Sequence, residues 1–172
     1  MPAGRLYGLG IGPGDPELIT LKALRILQSA PVVAYPVSDS EKSLARSIVA
    51  DYLGHAPIEL PMYFPFKPVE SAQPYYDKAA LTLADHLSRG QDVAVLCEGD
   101  PFFYGSFMYL HERLAGRYPV EIVPGVSSVM ASAAAIARPL AARNDVLSII
   151  PGPLEDERIR AQIAGCEAVG II

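Results

Sequence analysis

The chain has 172 residues, enough for one domain of ordinary size or one domain and part of another. Half of it is apolar (51%), so a substantial core can form. No apolar run reaches the roughly 18–20 residues that span a bilayer, and the start, MPAGRLYG, lacks a signal-peptide core. The net charge of −5 comes without any block of five or more like charges, which argues against a nucleic-acid partner. Cys97 and Cys166 are the only cysteines, and neither sits in a zinc-ligand spacing, so no metal is expected. A soluble cytoplasmic protein is the default expectation.

Strand-like and helix-like segments alternate along the chain, which predicts an α/β protein with a parallel sheet. Leu6–Ile11 reads as the first strand. A helix follows over Leu18–Leu27, with Leu18, Leu21, Leu24 and Leu27 on one face, Asp15 as its N-cap and Pro16 in its first turn. Pro31–Tyr35 reads as a buried strand because its hydrophobicity is continuous. Ser43–Leu53 reads as a helix closed by Gly54, and Ile58–Leu60 as a short third strand.

Pro57, Pro61, Pro65, Pro68 and Pro74 then exclude a helix or central strand and predict an extended loop carrying Tyr63, Phe64 and Phe66. Two readings of that loop stand side by side: a surface loop with its aromatics packed inward, or a flap facing a substrate. Further on, Ala72–Arg89 reads as a helix, Asp92–Glu98 as a strand, Ser106–Leu114 as a helix and Val120–Val123 as a strand. A small-residue helix to Ala137, a strand over Asp145–Ile150, a helix over Glu155–Ala164 and the start of a strand at Ala168–Ile172 complete the pattern. An end inside an apolar run points to a domain cut through its sheet.

Three strand exits carry unusual residues: Gly12-Pro-Gly-Asp15, Glu98-Gly-Asp-Pro101 and Pro124-Gly-Val-Ser-Ser128. In a parallel sheet they share one end, where α/β proteins bind ligands. The first loop fails the dinucleotide pattern, because Pro13 or Asp15 stands where a glycine is required, and no P-loop occurs. Asp15 also disfavours a phosphate there, so the ligand expected near this loop is neutral or cationic. Taken alone, its glycines also fit a simple tight turn. Glu98 and Asp100 suit acid–base work or a cationic ligand, although Asp100-Pro101 is equally an ordinary turn. Ser127 and Ser128 read most simply as helix N-cap residues, and His55, His86 and His111 have no pattern that links them to a serine nucleophile.

In this order and spacing, LYGLGIGPGDPELITLKALRIL, PVVAYP, EGDPFFYGS and VPGVSSVMASAAAIARPLA resemble the tetrapyrrole methylases, S-adenosylmethionine-dependent C-methyltransferases of corrinoid and sirohaem synthesis. The resemblance covers nearly the whole chain. YGLGIGPGDPEL, EGDPFFYGS with Glu98, and Tyr35-Pro36 are most similar to the branch that methylates C20 of precorrin-2 or cobalt-precorrin-2 in cobalamin biosynthesis.

The resemblance implies two α/β domains with the donor between them, here an N-terminal domain over 1–119 and a truncated second domain over 120–172, with a hinge near Pro124. It also implies donor contacts from Pro13, Glu98, Gly99, Asp100, Phe103, Ser127 and Ser128, with others past residue 172. The donor is a sulfonium cation, which acidic loops tolerate. Methylating a meso carbon requires loss of its proton, and Asp100 and Tyr35 are candidates by position alone. The superfamily's uroporphyrinogen branch carries an aspartate where this chain has Pro36, so that branch's proton-handling residue does not carry over. Lys42, Arg46, Arg138 and Arg143 are candidates for the acceptor's carboxylates, with solvated surface charge as the equal alternative. A homodimer is implied. Other readings are a diphthine-synthase-like or ribosomal-RNA-methylase-like branch, or a fragment without activity.

Overall fold

A computed structural model describes residues 2–38, 42–54, 56–65 and 71–172. The chain forms two compact units, dividing between Ser127 and Ser128. In the first unit, β1 (Leu6–Gly10), β2 (Val32–Val37), β3 (Ile58–Tyr63), β4 (Val93–Cys97) and β5 (Val120–Val123) form one sheet in the order β3-β2-β4-β1-β5. Every pairing is parallel. Because β5 pairs with β1 from Leu6↔Val120 to Leu9↔Val123, residues 120–127 group with the first unit, whereas the expected boundary lay at 119/120.

The central strand β4 is buried along its whole length, as a parallel strand covered on both faces must be. Its Val93, Val95 and Cys97 pack on one side with α3 (Gln73–Ser88) and α4 (Phe107–Leu114). Its Ala94 and Leu96 pack on the other with α1 (Leu21–Leu27) and α2 (Leu44–Ile48). Neighbouring β1 and β4 therefore send their chains to opposite faces of the sheet. The switch in direction between their exits is the place where open α/β sheets bind ligands.

Local chemistry redraws two predicted helices. Asp15 does cap a helical turn, accepting from the Glu17 N–H at 2.9 Å, but that turn is a short 3-10 piece over Pro16–Leu18. The α-helix begins only after Thr20, whose hydroxyl accepts from the Ala23 N–H at 3.2 Å. The buried face is accordingly Ala23 and Leu27, while Leu21 is 85% exposed. The Ser43–Leu53 segment is likewise divided into α2, capped by Ser43, and a 3-10 turn over Ala50–Tyr52.

The proline-rich segment also differs from expectation. β3 continues through Pro61 to Tyr63, and this is permitted because β3 is an edge strand. Pro74 lies in the first turn of α3, where its missing N–H costs nothing. Phe64 is 7% exposed and stacks on Tyr76 at 4.5 Å, so it packs inward. Phe66, Pro68 and His55 lie outside the described residues.

In the second unit, α5 (Ser128–Ala135), β6 (Leu147–Ile150), α6 (Asp156–Ala164) and β7 (Ala168–Ile171) follow in order, with β6 and β7 parallel. Among the described residues, no helix is long and apolar enough to cross a membrane.

Two sets of contacts fix the first unit's sheet, one at the strand exits and one on the α2 side near the start of β3. The first is a backbone junction. The Gly99 N–H donates to the Gly12 carbonyl at 2.8 Å, and Gly125 lies against Gly10 and Gly99. A Cβ on Gly10 would lie 2.8 Å from the Gly99 oxygen, and one on Gly125 would run into that same oxygen. The second is an ion pair. The Arg46 guanidinium on α2 grips the Glu59 carboxylate on β3 through two bonds of 2.6 and 3.0 Å, and the Tyr35 hydroxyl donates to Glu59 at 2.9 Å.

Replacing Gly125 by Ala is expected to destabilise the protein by about 2 kcal/mol or more through overpacking, read as a lowered denaturation midpoint. The Arg46 bonds, with help from Tyr35 and against burial, hold the Glu59 carboxyl below the usual range. Its stabilisation is therefore complete above the ordinary glutamate range and fades as pH falls through the lowered folded value. Glu59→Gln should cost roughly 1 kcal/mol at neutral pH. The gap between the two melting temperatures should close in acid; a gap that stays constant with pH would exclude this origin.

Candidate functional site at the strand exits

Pro13 follows the end of β1, partly buried, in a turn tied to the β4 exit by the bond between Gly12 and Gly99. Gly99 has φ +66°, a left-handed conformation that glycine adopts freely. The three strand-exit loops singled out in the sequence therefore meet in space, and the meeting point is main chain against main chain.

Asp100 is what locks the second loop to the third. Its Oδ2 accepts from the Gly125 N–H at 3.0 Å, and its Oδ1 accepts from the Phe102 N–H at 2.9 Å. Both carboxylate oxygens are thus engaged by backbone donors. Glu98 is exposed, and its Oε1 accepts from the Ala45 N–H at the start of α2 at 3.2 Å. Through that bond the end of β4 is coupled to α2, and α2 is coupled to β3 through Arg46 and Glu59.

The other proton-acceptor candidate, Tyr35, is also committed. Its ring packs on the α1/α2 side of the sheet and its hydroxyl is spent on Glu59. Burial, reinforced by the hydrogen bond to Glu59, raises its pKa and keeps the phenol protonated. Arg46 is not a free cation for a ligand carboxylate, because its guanidinium serves Glu59. Lys42 is exposed just before α2; Arg138 and Arg143 are exposed within the second unit, which also contains Ser128. Ser127 is the last residue of the first unit.

On the α3/α4 side, two cavities open beside the β4 exit. One, of about 500 Å³, is lined by Tyr76, Phe102, Phe103, Tyr104, Met108 and Tyr109 among others. The other, of about 330 Å³, reaches Pro36 and Phe64 at the ends of β2 and β3 and also borders Glu98. Both lie in the size range of small-molecule sites. Tyr76 anchors the wall they share: it stacks on Phe64, meets Tyr109 at 4.8 Å and lies under the Arg113 guanidinium at 5.8 Å. Burial raises the Tyr76 phenol pKa. Cys97, bordering the smaller cavity, is a buried thiol whose pKa burial also raises, so it is no nucleophile.

The sequence pointed to the loops but not to Glu59, Tyr76 or the close approach at Gly125. Glu59 looked like any charge in a half-exposed strand, and its partners lie 13 and 24 positions away. Among the described residues, no group of three or more His, Cys, Asp or Glu converges to hold a metal. The loops 12–15 and 98–101 together offer Asp15, Glu98 and Asp100 and no basic side chain. A cationic sulfonium donor fits that charge, whereas a phosphate-bearing ligand does not.

Residues 5–172 match the family of Tetrapyrrole (Corrin/Porphyrin) Methylases. Over 98% of its length the chain is 39% identical to a precorrin-2 C(20)-methyltransferase of Sinorhizobium, of which it spans 73%. It is 41% identical, again over 98% of its length, to the cobalamin biosynthesis protein CobIJ of Mycobacterium tuberculosis, of which it spans only 35%. The structure also resembles a Thermus thermophilus uroporphyrin-III C-methyltransferase complexed with S-adenosylhomocysteine, with a TM-score of 0.62 and 33% identity over 88% of this chain and 61% of the other. The chain belongs to the tetrapyrrole (corrin/porphyrin) methylases.

Proposed function

We propose that this chain is a methyltransferase of cobalamin biosynthesis that uses S-adenosylmethionine to methylate C20 of precorrin-2 or cobalt-precorrin-2. The observation that carries this reading is the backbone junction of three exit loops at the ends of β1, β4 and β5, in a chain 39% identical to a precorrin-2 C(20)-methyltransferase. Donor contacts are assigned to Pro13, Glu98, Gly99, Asp100, Phe103, Ser127 and Ser128. A cytoplasmic homodimer is part of the same proposal.

When bound, the donor supplies the electrophilic methyl group. The chain's own residues then have to position and neutralise rather than activate a nucleophile. Acidic loops balance the donor's positive charge. The turn held by Asp100 offers main-chain groups at fixed places, so little reorganisation accompanies binding. With its two oxygens on the Gly125 and Phe102 N–H groups, Asp100 shapes the site instead of taking the proton from C20. Tyr35, protonated and bonded to Glu59, is also set aside as that proton acceptor.

Calorimetry with S-adenosylhomocysteine, on this chain and on one lengthened at its C-terminus, tests the donor assignment. Binding to either supports it; no binding to both at millimolar ligand overturns it. Incubation with S-adenosylmethionine and precorrin-2 or cobalt-precorrin-2, followed by mass spectrometry, tests the acceptor. Asp100→Asn keeps one acceptor oxygen for two N–H groups, so either Gly125 or Phe102 loses its partner; S-adenosylhomocysteine binding should weaken about tenfold, while residual turnover keeps the wild-type pH profile. Complete loss of turnover with donor affinity intact would instead make Asp100 the proton acceptor.

A further inference from the structure

The turn from Pro101 to Gly105 is wound unusually tightly. Asp100 starts it, accepting from the Phe102 N–H through its side chain and from the Phe103 N–H through its carbonyl at 3.4 Å. Gly105 ends it, with its Cα so close to the turn's start that a Cβ would lie 2.7 Å from the Pro101 oxygen and 2.9 Å from the Asp100 oxygen. Tyr104, between them, has φ +55°. That left-handed conformation is costly for a bulky residue and free for glycine.

The strain is not offset by burial of the ring. Tyr104 is 56% exposed, with the edge of Phe103 against it at 5.2 Å and 89°. Glycine or asparagine would build the same turn with less strain. Ala56, Ala137 and Arg143 share such a φ, so it is the combination of the strained turn with a place on the cavity walls that singles out Tyr104. Tyr104 also borders both cavities, together with Tyr76, Gly105 and Ser106, and so stands at their partition.

We infer that Tyr104 is a specificity-determining residue whose ring, fixed by the strained turn, stacks on the flat conjugated ring system of the methyl acceptor. The inference rests on the methyltransferase reading. Placement favours the acceptor over the donor's adenine. The smaller cavity runs from the β4 exit to Pro36 and Phe64 at the ends of β2 and β3, while Gly10 and Gly125 lie on the other side of β4, with β1 and β5; of the residues assigned to the donor, Glu98 and Phe103 border the cavities only at the β4 exit itself. Walls of Phe102, Tyr76, Tyr109 and Pro36 suit a large apolar ring surface.

The test compares wild type with Tyr104→Gly, Tyr104→Asn and Tyr104→Phe in the full chain. Precorrin-2 binding is followed anaerobically by its visible absorption, S-adenosylhomocysteine binding by calorimetry and stability by thermal denaturation. Tyr104→Gly and Tyr104→Asn are expected to melt about 3 °C higher as the strain is released. Both should bind precorrin-2 about tenfold more weakly and S-adenosylhomocysteine as wild type does. Tyr104→Phe, which keeps ring and strain, should bind both as wild type. Undiminished precorrin-2 affinity in the glycine and asparagine variants, with a wild type that binds both molecules, overturns the Tyr104 assignment alone. Parallel loss of S-adenosylhomocysteine affinity overturns it in favour of a role in shaping the donor loop. A wild-type chain that binds neither molecule overturns the methyltransferase reading and this inference with it.

Discussion

Where Gly10, Gly99 and Gly125 touch, three strand exits are pressed together with no side chain between them. That contact sets how far apart β4, β1 and β5 can splay at their carboxyl ends. A hydrogen bond from Gly99 to Gly12 and the two backbone bonds accepted by Asp100 then tie the loops into one piece. Rigid backbone is well suited to a ligand that carries its own reactive group, because the protein contributes position more than reagent.

Helix α2 braces the sheet at two levels, through the β4 exit and through the second residue of β3. Glu98 reaches the start of that helix, and Arg46 within it holds Glu59 on the edge strand, with Tyr35 completing the cluster. These polar groups satisfy one another at partly buried positions, where an unpaired charge would be costly. Side chains that looked like ligand-binding or proton-handling groups in the sequence are here partners of each other. The chemistry left open to a ligand lies in backbone turns, the exposed acids and the aromatic walls beside α3 and α4.

Division of labour across β4 follows from the chirality of the fold. Connections from β1 and β2 cover one face, those from β3 and β4 the other, and the switch occurs at the central strand. The glycine junction occupies the β1 side of that switch and the aromatic cavities the β2 side.

Much of this was written locally. Continuous hydrophobicity announced Pro31–Tyr35 as a buried strand, Asp15 is a cap by its own side chain, and the glycine-bearing exits followed strand ends in the right order. Such features depend on neighbours a few residues away, so sequence pattern contains them. Other features depend on distant partners. Pro61 reads as a strand breaker until the sheet order makes β3 an edge. Asp100 reads as an unengaged carboxylate until Gly125, 25 positions on, is found donating to it, and nothing near Glu59 in the chain reveals Arg46 and Tyr35. The sequence by itself determined the elements and the residues that could carry chemistry. Only the tertiary structure decided which of those residues are free to meet a ligand, because that depends on which polar groups the fold has already brought together.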